Sequence, residues 1–280
     1  MPLTQPIRSL LYIPGSNERA LDKARALPCD GIIFDLEDAV APDEKARARL
    51  SLAVALNGDY GGRLRIVRIN GLETGWGAED LSVFAEHPGV DALLLPKVNR
   101  AEDLDIGTAK PLWAMMETAL AMLDAGQIAA HPGLQGMVMG TNDLAKELGA
   151  RFRADRLGLQ AGLGLCVLAA RAHGCVIVDG VYNAFQDDDG LRAECEQGRD
   201  MGFDGKTLIH PAQLAVANAV FAPSVAEIEL AHRQIVAFDA ARAAGQGVAV
   251  VDGKIVENLH IVTASQVLAR AKAIAEREGR

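Results

Sequence analysis

Acids and cations recur at the ends of short apolar runs in this 280-residue chain. GIIFDLED runs into Asp35, Glu37 and Asp38, and LRIVRIN carries Arg68 and ends in Asn70. ALLLPKV holds Lys97, PLWAMME ends in Glu117, and GMVMGTND leads to Asn142 and Asp143. VIVDGVYN carries Asp179 and ends in Tyr182 and Asn183. Gathered on one rim, uncompensated carboxylates repel and raise one another's pKa. A divalent cation relieves that repulsion. Magnesium takes one or two carboxylates and completes an octahedral shell with water and substrate oxygens. Glu117 and Asp143, on consecutive runs, are the natural metal pair. Arg68 then holds a substrate carboxylate bidentately or steadies a developing oxyanion.

These residues share a rim only if the runs are strands of one parallel sheet. The runs at 8–14, 31–37, 64–70, 92–98, 111–117, 136–140, 176–182 and 205–210 are near-continuously apolar. Strands buried on both faces look like that. Between them, Ser16 can cap a helix over 17–27. Pro42-Asp43-Glu44 opens another, running to Leu56, with proline in the first turn and acids at the positive end of the dipole. Residues 157–172 and 189–201 also read as helices. Eight strands alternating with helices predict an α/β fold, a (β/α)8 TIM barrel with its chemistry at the C-terminal strand ends. A doubly wound open sheet is the competing architecture. Residues 1–222 are expected to form the barrel and carry the active site. Residues 223–280 are expected to form a C-terminal helical and hairpin extension that caps the barrel or a neighbouring subunit. It comprises a long helix over 224–244, a hairpin turning at Asp252-Gly253 and a helix over 261–278.

Half the residues are hydrophobic, 23% are charged and mean hydropathy is +0.11, which excludes a disordered chain. Only 4% are aromatic, so the core must be aliphatic, as suits helices on a Val/Ile/Leu sheet. A net charge of −9 with no basic patch argues against nucleic acid as a partner. No apolar run reaches the roughly 18 residues needed to span a bilayer, and the N-terminus lacks a signal-peptide pattern. Cys29, Cys166, Cys175 and Cys195 are scattered and form neither a disulfide framework nor a zinc site. The expectation is a cytoplasmic protein with no membrane partner.

Several candidates have plainer readings. Asp35 can be a hydrogen-bonding scaffold, and Glu37 and Asp38 can cap the next loop. Asp143 can cap the helix that begins at LAKEL, and Asp187–Asp189 can be solvated caps. His210 can mark a turn, and Lys97 can salt-bridge the rim acids. Arg68 in an apolar strand is costly unless paired. Gly205-Lys206-Thr207 imitates the end of a phosphate-binding loop, but Asp200 stands where that loop needs glycine and LIHP follows instead of a helix.

RSLLYIPGSNERALDKA, GIIFDLEDAV, VRIN, LLLPKV, META, MGTNDLAKELG and GFDGKTLIHPAQL occur in this order. Together they resemble the citrate lyase β-subunit-like family, which includes malyl-CoA, citramalyl-CoA and citryl-CoA lyases. The resemblance runs from Arg8 into the tail. It implies a (β/α)8 barrel, a homotrimer or hexamer, and Mg2+-dependent cleavage or formation of a carbon–carbon bond beside a CoA thioester. It also implies Glu117 and Asp143 as metal ligands, Arg68 as the substrate arginine, and Glu37 and Asp38 as the acids that order metal-bound water. The CoA would be met by Pro14, Gly15, Ser16 and Asn17 with Arg19 and Lys23. Two positions depart from the family pattern. Asn142 stands where relatives commonly carry glutamate, and Glu257 stands near the tail aspartate that acts in the next subunit's site in several relatives.

The expected activity is therefore cleavage of a 3-hydroxyacyl-CoA of the malyl-CoA or citramalyl-CoA type to an α-keto acid and an acyl-CoA. Arg68 would stabilise the enolate, and Glu257 of a neighbour or metal-bound water would protonate it. The alternatives are a malyl-CoA-type thioesterase, a citrate lyase β subunit acting on an acyl-carrier thioester, and an aldolase forming a Schiff base on Lys97.

Overall fold

A computed structural model describes residues 6–279. Eight parallel strands run in the order β1 (Ser9–Pro14), β2 (Gly31–Asp35), β3 (Leu64–Arg68) and β4 (Ala92–Leu95), followed by β5 (Leu112–Met116), β6 (Leu134–Met139), β7 (Val176–Asp179) and β8 (Gly205–Leu208). Each pairs with the next in sequence, and β8 closes on β1 from Ser9↔Lys206 to Leu11↔Leu208. That closure makes a (β/α)8 barrel and removes the open-sheet alternative. Around it lie α1 (Glu18–Ala24), α2 (Lys45–Ala55), α3 (Gly75–Phe84), α4 (Ala119–Leu123) and α5 (Ala125–Ala129), then α6 (Thr141–Glu147), α7 (Gln160–His173), α8 (Asp188–Met201) and α9 (Leu214–Phe221).

Successive residues along each strand face opposite ways, and two cores result. Leu10, Ile33, Ile66, Leu94, Trp113, Met115, Val138 and Val178 fill the barrel. Their neighbours Leu11, Phe34, Val67, Leu93, Ala114, Met137 and Ile177 pack under the helices. The inward phase, continued one step past the apolar layer, leads from Ile33 to Asp35, from Ile66 to Arg68 and from Met115 to Glu117. Except for β1, the strands end one to three residues before the apolar runs do. Glu37, Asp38, Lys97 and Glu117 thus sit in loops just past the ladder, where polar groups can reach the mouth.

The local signals differ from expectation in detail. Asn17, not Ser16, caps α1, its side chain accepting from the Ala20 N–H at 3.0 Å. Pro42–Glu44 forms a 3-10 turn before α2, and α7 begins at Gln160 after an irregular stretch. Helices α4 and α5 hold five residues each, too few to show a period in the sequence.

A second compact unit begins at Ala222. It comprises α10 (Val225–Ala243), β9 (Ala249–Val251), β10 (Lys254–Val256) and α11 (Asn258–Glu278). A capping box between Ser224 and Glu227 starts α10. The hairpin turns through Asp252 and Gly253 with φ of 50° and 75°, both positive as a type I′ turn requires. Phe238, Ala241, Ala249 and Val256 form this unit's own core. By composition the stretch Pro211–Ala243 is apolar enough to cross a membrane. Pro223 divides it, however, into an eight-residue helix and one carrying Glu227, Glu229, Arg233, Asp239 and Arg242.

Gly136 makes room for the largest side chain inside the barrel. A Cβ there would lie 2.5 Å from the ring of Trp113, which is fully buried. Gly136→Ala is expected to destabilise the protein by about 1–3 kcal/mol, the usual cost of overpacking. Calorimetry would show this as a melting temperature lowered by several degrees, and an unchanged temperature would mean the ring can yield.

Candidate active site

The site starts from one pair of residues on adjacent strands. Asp35 ends β2, Arg68 ends β3, and the two are in register. Arg68 donates from Nε to Asp35 Oδ1 at 2.7 Å and from Nη2 to Oδ2 at 2.6 Å, a bidentate fork. The same carboxylate accepts from the backbone N–H of Glu37 at 2.9 Å and of Ala39 at 3.0 Å. Asp35 is therefore the scaffold that sets both the arginine and the turn carrying Glu37 and Asp38. Arg68 Nη1 reaches Asp38 Oδ2 at 3.3 Å and pairs with Glu37 Oε2 at 2.9 Å. The latter geometry makes an ion pair but no hydrogen bond, so Glu37 Oε2 is buried without one. Burial works against the Arg68 charge, but Asp35, Tyr12 and Glu37 outweigh it and hold its pKa well above the ordinary value. Among the described residues its hydrogen bonds engage three of the five guanidinium N–H groups, and the ion pair with Glu37 occupies Nη1 further.

Glu117 follows β5 and is 3% exposed. Its Oε1 accepts from the Lys97 N–H at 2.7 Å, where Lys97 takes a positive φ of 51°. A Cβ on Gly140 would lie 2.4 Å from Glu117 Cβ, so the loop after β6 can close on this glutamate only with glycine there. Burial pushes the Glu117 carboxyl up to about 7, with Glu37 and Asp143 adding to the rise and Lys97 and Arg68 opposing it. Asp143 lies in the first turn of α6, whose N-cap is Gly140 without any side-chain cap, so the capping reading does not hold. Among the described residues no hydrogen bond or ion pair engages its half-buried carboxylate. Burial also raises the pKa of Glu37. A partly buried carboxylate with a raised pKa, beside two others, is a donor set that a small divalent cation would stabilise. Among the described residues no group of three His, Cys, Asp or Glu forms a closed metal cage. Glu117 and Asp143 together match a hard cation that keeps most of its shell for water and ligand oxygens.

Lys97 Nζ lies 3.3 Å from Glu37 Oε1, and its side chain is 52% exposed. Burial would lower its pKa, but Glu37 and Glu117 raise it overall. An imine-forming lysine needs the opposite, a depressed pKa, so the Schiff-base reading is corrected to a salt bridge. At the first loop, the Gly15 N–H donates to Asp35 O at 2.8 Å, which ties Pro14–Asn17 to the rim. Ser16 is half-buried, and Arg19 and Lys23 are exposed on α1.

Not every rim candidate belongs to the site. Asp179 has the outward phase, one residue after Val178, and enters a buried cluster between barrel and helices. There it meets Arg156 at 2.7 Å and Lys206 at 3.2 Å, and Lys206 also binds Glu194 at 2.7 Å. Asp187 caps α8, and His210 caps the turn after β8. Asn142 and Asn183 exchange amide hydrogen bonds at 3.2 and 2.8 Å. Glu257 lies in the tail unit, exposed at the start of α11, with its backbone N–H donated to His260 Nδ1.

Two contributors escaped the sequence reading. Lys45 Nζ donates to the carbonyls of Leu36 and Glu37, both at 2.9 Å, and to Asn70 Oδ1 at 2.6 Å, which pins the acid-bearing turn from below. Asn70 binds Asp80, which pairs with Arg49 at 2.7 Å. The available signal was Lys45 and Arg49 on the buried stripe of α2 with Ala48 and Leu52. The other is Tyr12, whose ring lies 5.1 Å from the Arg68 guanidinium.

Residues 8–211 match the HpcH/HpaI aldolase/citrate lyase family. A (3S)-malyl-CoA thioesterase of Cereibacter sphaeroides is 71% identical over 275 residues, covering 96% of both chains. An L-malyl-CoA/beta-methylmalyl-CoA lyase of the same species is 34% identical, covering 98% of this chain and 97% of its own. The crystal structure of protein CitE from Mycobacterium tuberculosis with magnesium, acetoacetate and coenzyme A superposes with a TM-score of 0.82 at 29% identity, covering 96% of this chain and 100% of that one. The expectation of a carbon–carbon lyase is corrected by this ranking, because the relatives at 69–71% identity are thioesterases. The sequence motifs could not show the difference, since relatives named as thioesterases and as lyases both align with nearly the whole chain. By match and by fold, this chain belongs to the HpcH/HpaI aldolase/citrate lyase family of enzymes.

Proposed function

We propose that this protein is a Mg2+-dependent thioesterase acting on (3S)-malyl-CoA or a close analogue. The observation that carries the reading is the 71% identity to (3S)-malyl-CoA thioesterases across 96% of both chains. The magnesium-containing relative supports the cation, and the two-carboxylate site suits it. Glu117 and Asp143 would hold Mg2+, which supplies Lewis-acid polarisation of the oxygens it chelates. Arg68 would donate to a substrate carboxylate or to charge developing on the thioester carbonyl. Glu37, whose pKa burial raises, takes the proton of the attacking water. The water oxygen adds to the carbonyl carbon, the carbon–sulfur bond breaks, and the proton on Glu37 passes to the departing thiolate. Asp38 shares the Arg68 charge. Pro14, Gly15, Ser16 and Asn17, with the cations Arg19 and Lys23, line the approach for the CoA. The reading includes a homotrimer or hexamer in which Glu257 serves a neighbouring barrel.

Incubated with (3S)-malyl-CoA and Mg2+, the protein is expected to release free thiol and malate in equal amounts. Glyoxylate appearing in step with acetyl-CoA would overturn the reading. Glu117→Ala and Asp143→Ala are each expected to weaken Mg2+ binding at least tenfold in calorimetry and to abolish thiol release, as chelation by EDTA should.

The Glu117 carboxyl also predicts a pH dependence. Its pKa near 7 means that Mg2+ must expel a proton to bind. Affinity should fall about tenfold per unit below pH 6.5 and level off above pH 8. Titrations at pH 6.5 in two buffers of different ionisation enthalpy should register roughly three quarters of a proton released. Between pH 4.5 and 7 the folded state binds more protons at Glu117 than the unfolded state does. Without added cation, stability should therefore fall as pH rises through that window, and saturating Mg2+ should remove the trend.

Tail donation is open to complementation. Glu257→Ala and Arg68→Ala chains, each inactive alone, should recover thiol release when co-expressed, because mixed assemblies contain some sites with both native residues. Recovery absent from mixed oligomers would overturn donation between subunits, and full activity of Glu257→Ala alone would place Glu257 outside the chemistry.

A further inference from the structure

Tyr12 stands on β1 two residues before Pro14, in the same inward phase as Leu10. Its half-buried ring packs on the barrel's inner core, and the Arg68 guanidinium lies 5.1 Å from the ring centroid. Across the barrel its hydroxyl meets Met115 Sδ at 3.4 Å, on the strand that carries Glu117 two residues further on. A thioether is a weak acceptor, and among the described residues it is the only hydrogen-bond partner of this O–H. The phenol therefore forms the floor between the arginine and the glutamate, with a strong donor that the protein leaves almost unused. Carboxylates of Asp35, Glu37 and Glu117 lie near it, and burial raises its pKa, so it stays protonated and its O–H donates to an incoming anionic oxygen. Asp35 is already filled by Arg68 and two backbone N–H groups. The natural acceptor is thus an anionic oxygen brought by the ligand.

We propose that Tyr12 is a further substrate-binding residue, its hydroxyl donating to a carboxylate oxygen of the acyl group that Arg68 holds. The inference rests on the thioesterase reading and deepens it. Arg68 neutralises the carboxylate from one side, and Tyr12 fixes its depth in the barrel, so an acyl group without that carboxylate leaves the phenol unpaired. A hydrogen bond to a charged group is worth about tenfold to a hundredfold.

The test is Tyr12→Phe, which keeps the ring under Arg68 and removes only the hydroxyl. Its kcat/KM for (3S)-malyl-CoA hydrolysis is expected to fall tenfold or more, while the inhibition constant of free CoA, which lacks the acyl group, stays within twofold. A smaller loss, or a CoA constant that rises by the same factor, would overturn the inference. The wild-type arm separates this from failure of the underlying reading. A wild-type enzyme that releases no thiol from (3S)-malyl-CoA removes that reading, whereas normal wild-type turnover with an unaffected variant removes Tyr12 alone.

Discussion

A guanidinium that is 6% exposed at the end of a strand has to be neutralised where it stands. Asp35 does this for Arg68 through two parallel hydrogen bonds, and the rest of the site is arranged around that fork. One carboxylate on β2 fixes the arginine on β3 and, through the N–H groups of Glu37 and Ala39, the turn that presents two more acids. Removing Arg68 would leave the buried Asp35 carboxylate without its cation, which typically costs about 3–5 kcal/mol. The pair is also preorganised, because parallel pairing places Asp35 and Arg68 at one level before any side chain is chosen. The arginine's position is therefore settled by the fold before any ligand arrives.

The barrel holds a second set of buried charges, with a different destiny. Arg156, Asp179, Glu194 and Lys206 balance in sign and face the helices. Lys206 also donates to Gly180 O at 2.6 Å, and a Cβ on Gly180 would lie 2.4 Å from Thr141 Oγ1. This cluster therefore holds the loop after β7 against the start of α6, the helix that carries Asp143. Its charges are satisfied by one another and support the site from outside the barrel, whereas those at the mouth are left in imbalance.

The strand count, the closed barrel and the rim residues Asp35, Arg68 and Glu117 were legible because the same two-residue period that fills the barrel with Ile33, Ile66 and Met115 runs on to them, whereas Asp143 lies in the first turn of α6 and was legible only from its place just after β6. Asp179 was misplaced when only its position at a strand end was considered; its phase, one residue from Val178, already points it outward. Lys45 was missed because a lysine on a helix reads as solvated until the carbonyls of Leu36 and Glu37 are found around it. Tyr12 was hidden in an apolar run, where a phenol is indistinguishable from packing. The cap of α1 fell on Asn17 because cap geometry depends on backbone angles that both Ser16 and Asn17 could in principle supply.

The reaction outcome belongs to another class of information. On the proposed reading, carbon–carbon cleavage and thioester hydrolysis would begin with the same ligand held by the same acids and arginine. They diverge in which carbon is attacked and where a proton ends, on the enolate carbon or on the leaving sulfur. That choice depends on whether water can reach the carbonyl carbon and on a base such as Glu37 being free to accept from it. Access of that kind is set by the packing of the whole mouth, including loops whose residues carry no chemistry of their own. A short motif list samples the gripping residues and is silent about the gap between them, whereas identity maintained across 96% of two chains samples the gap as well. For this reason the full-length likeness to thioesterases outweighs the lyase-like motif set.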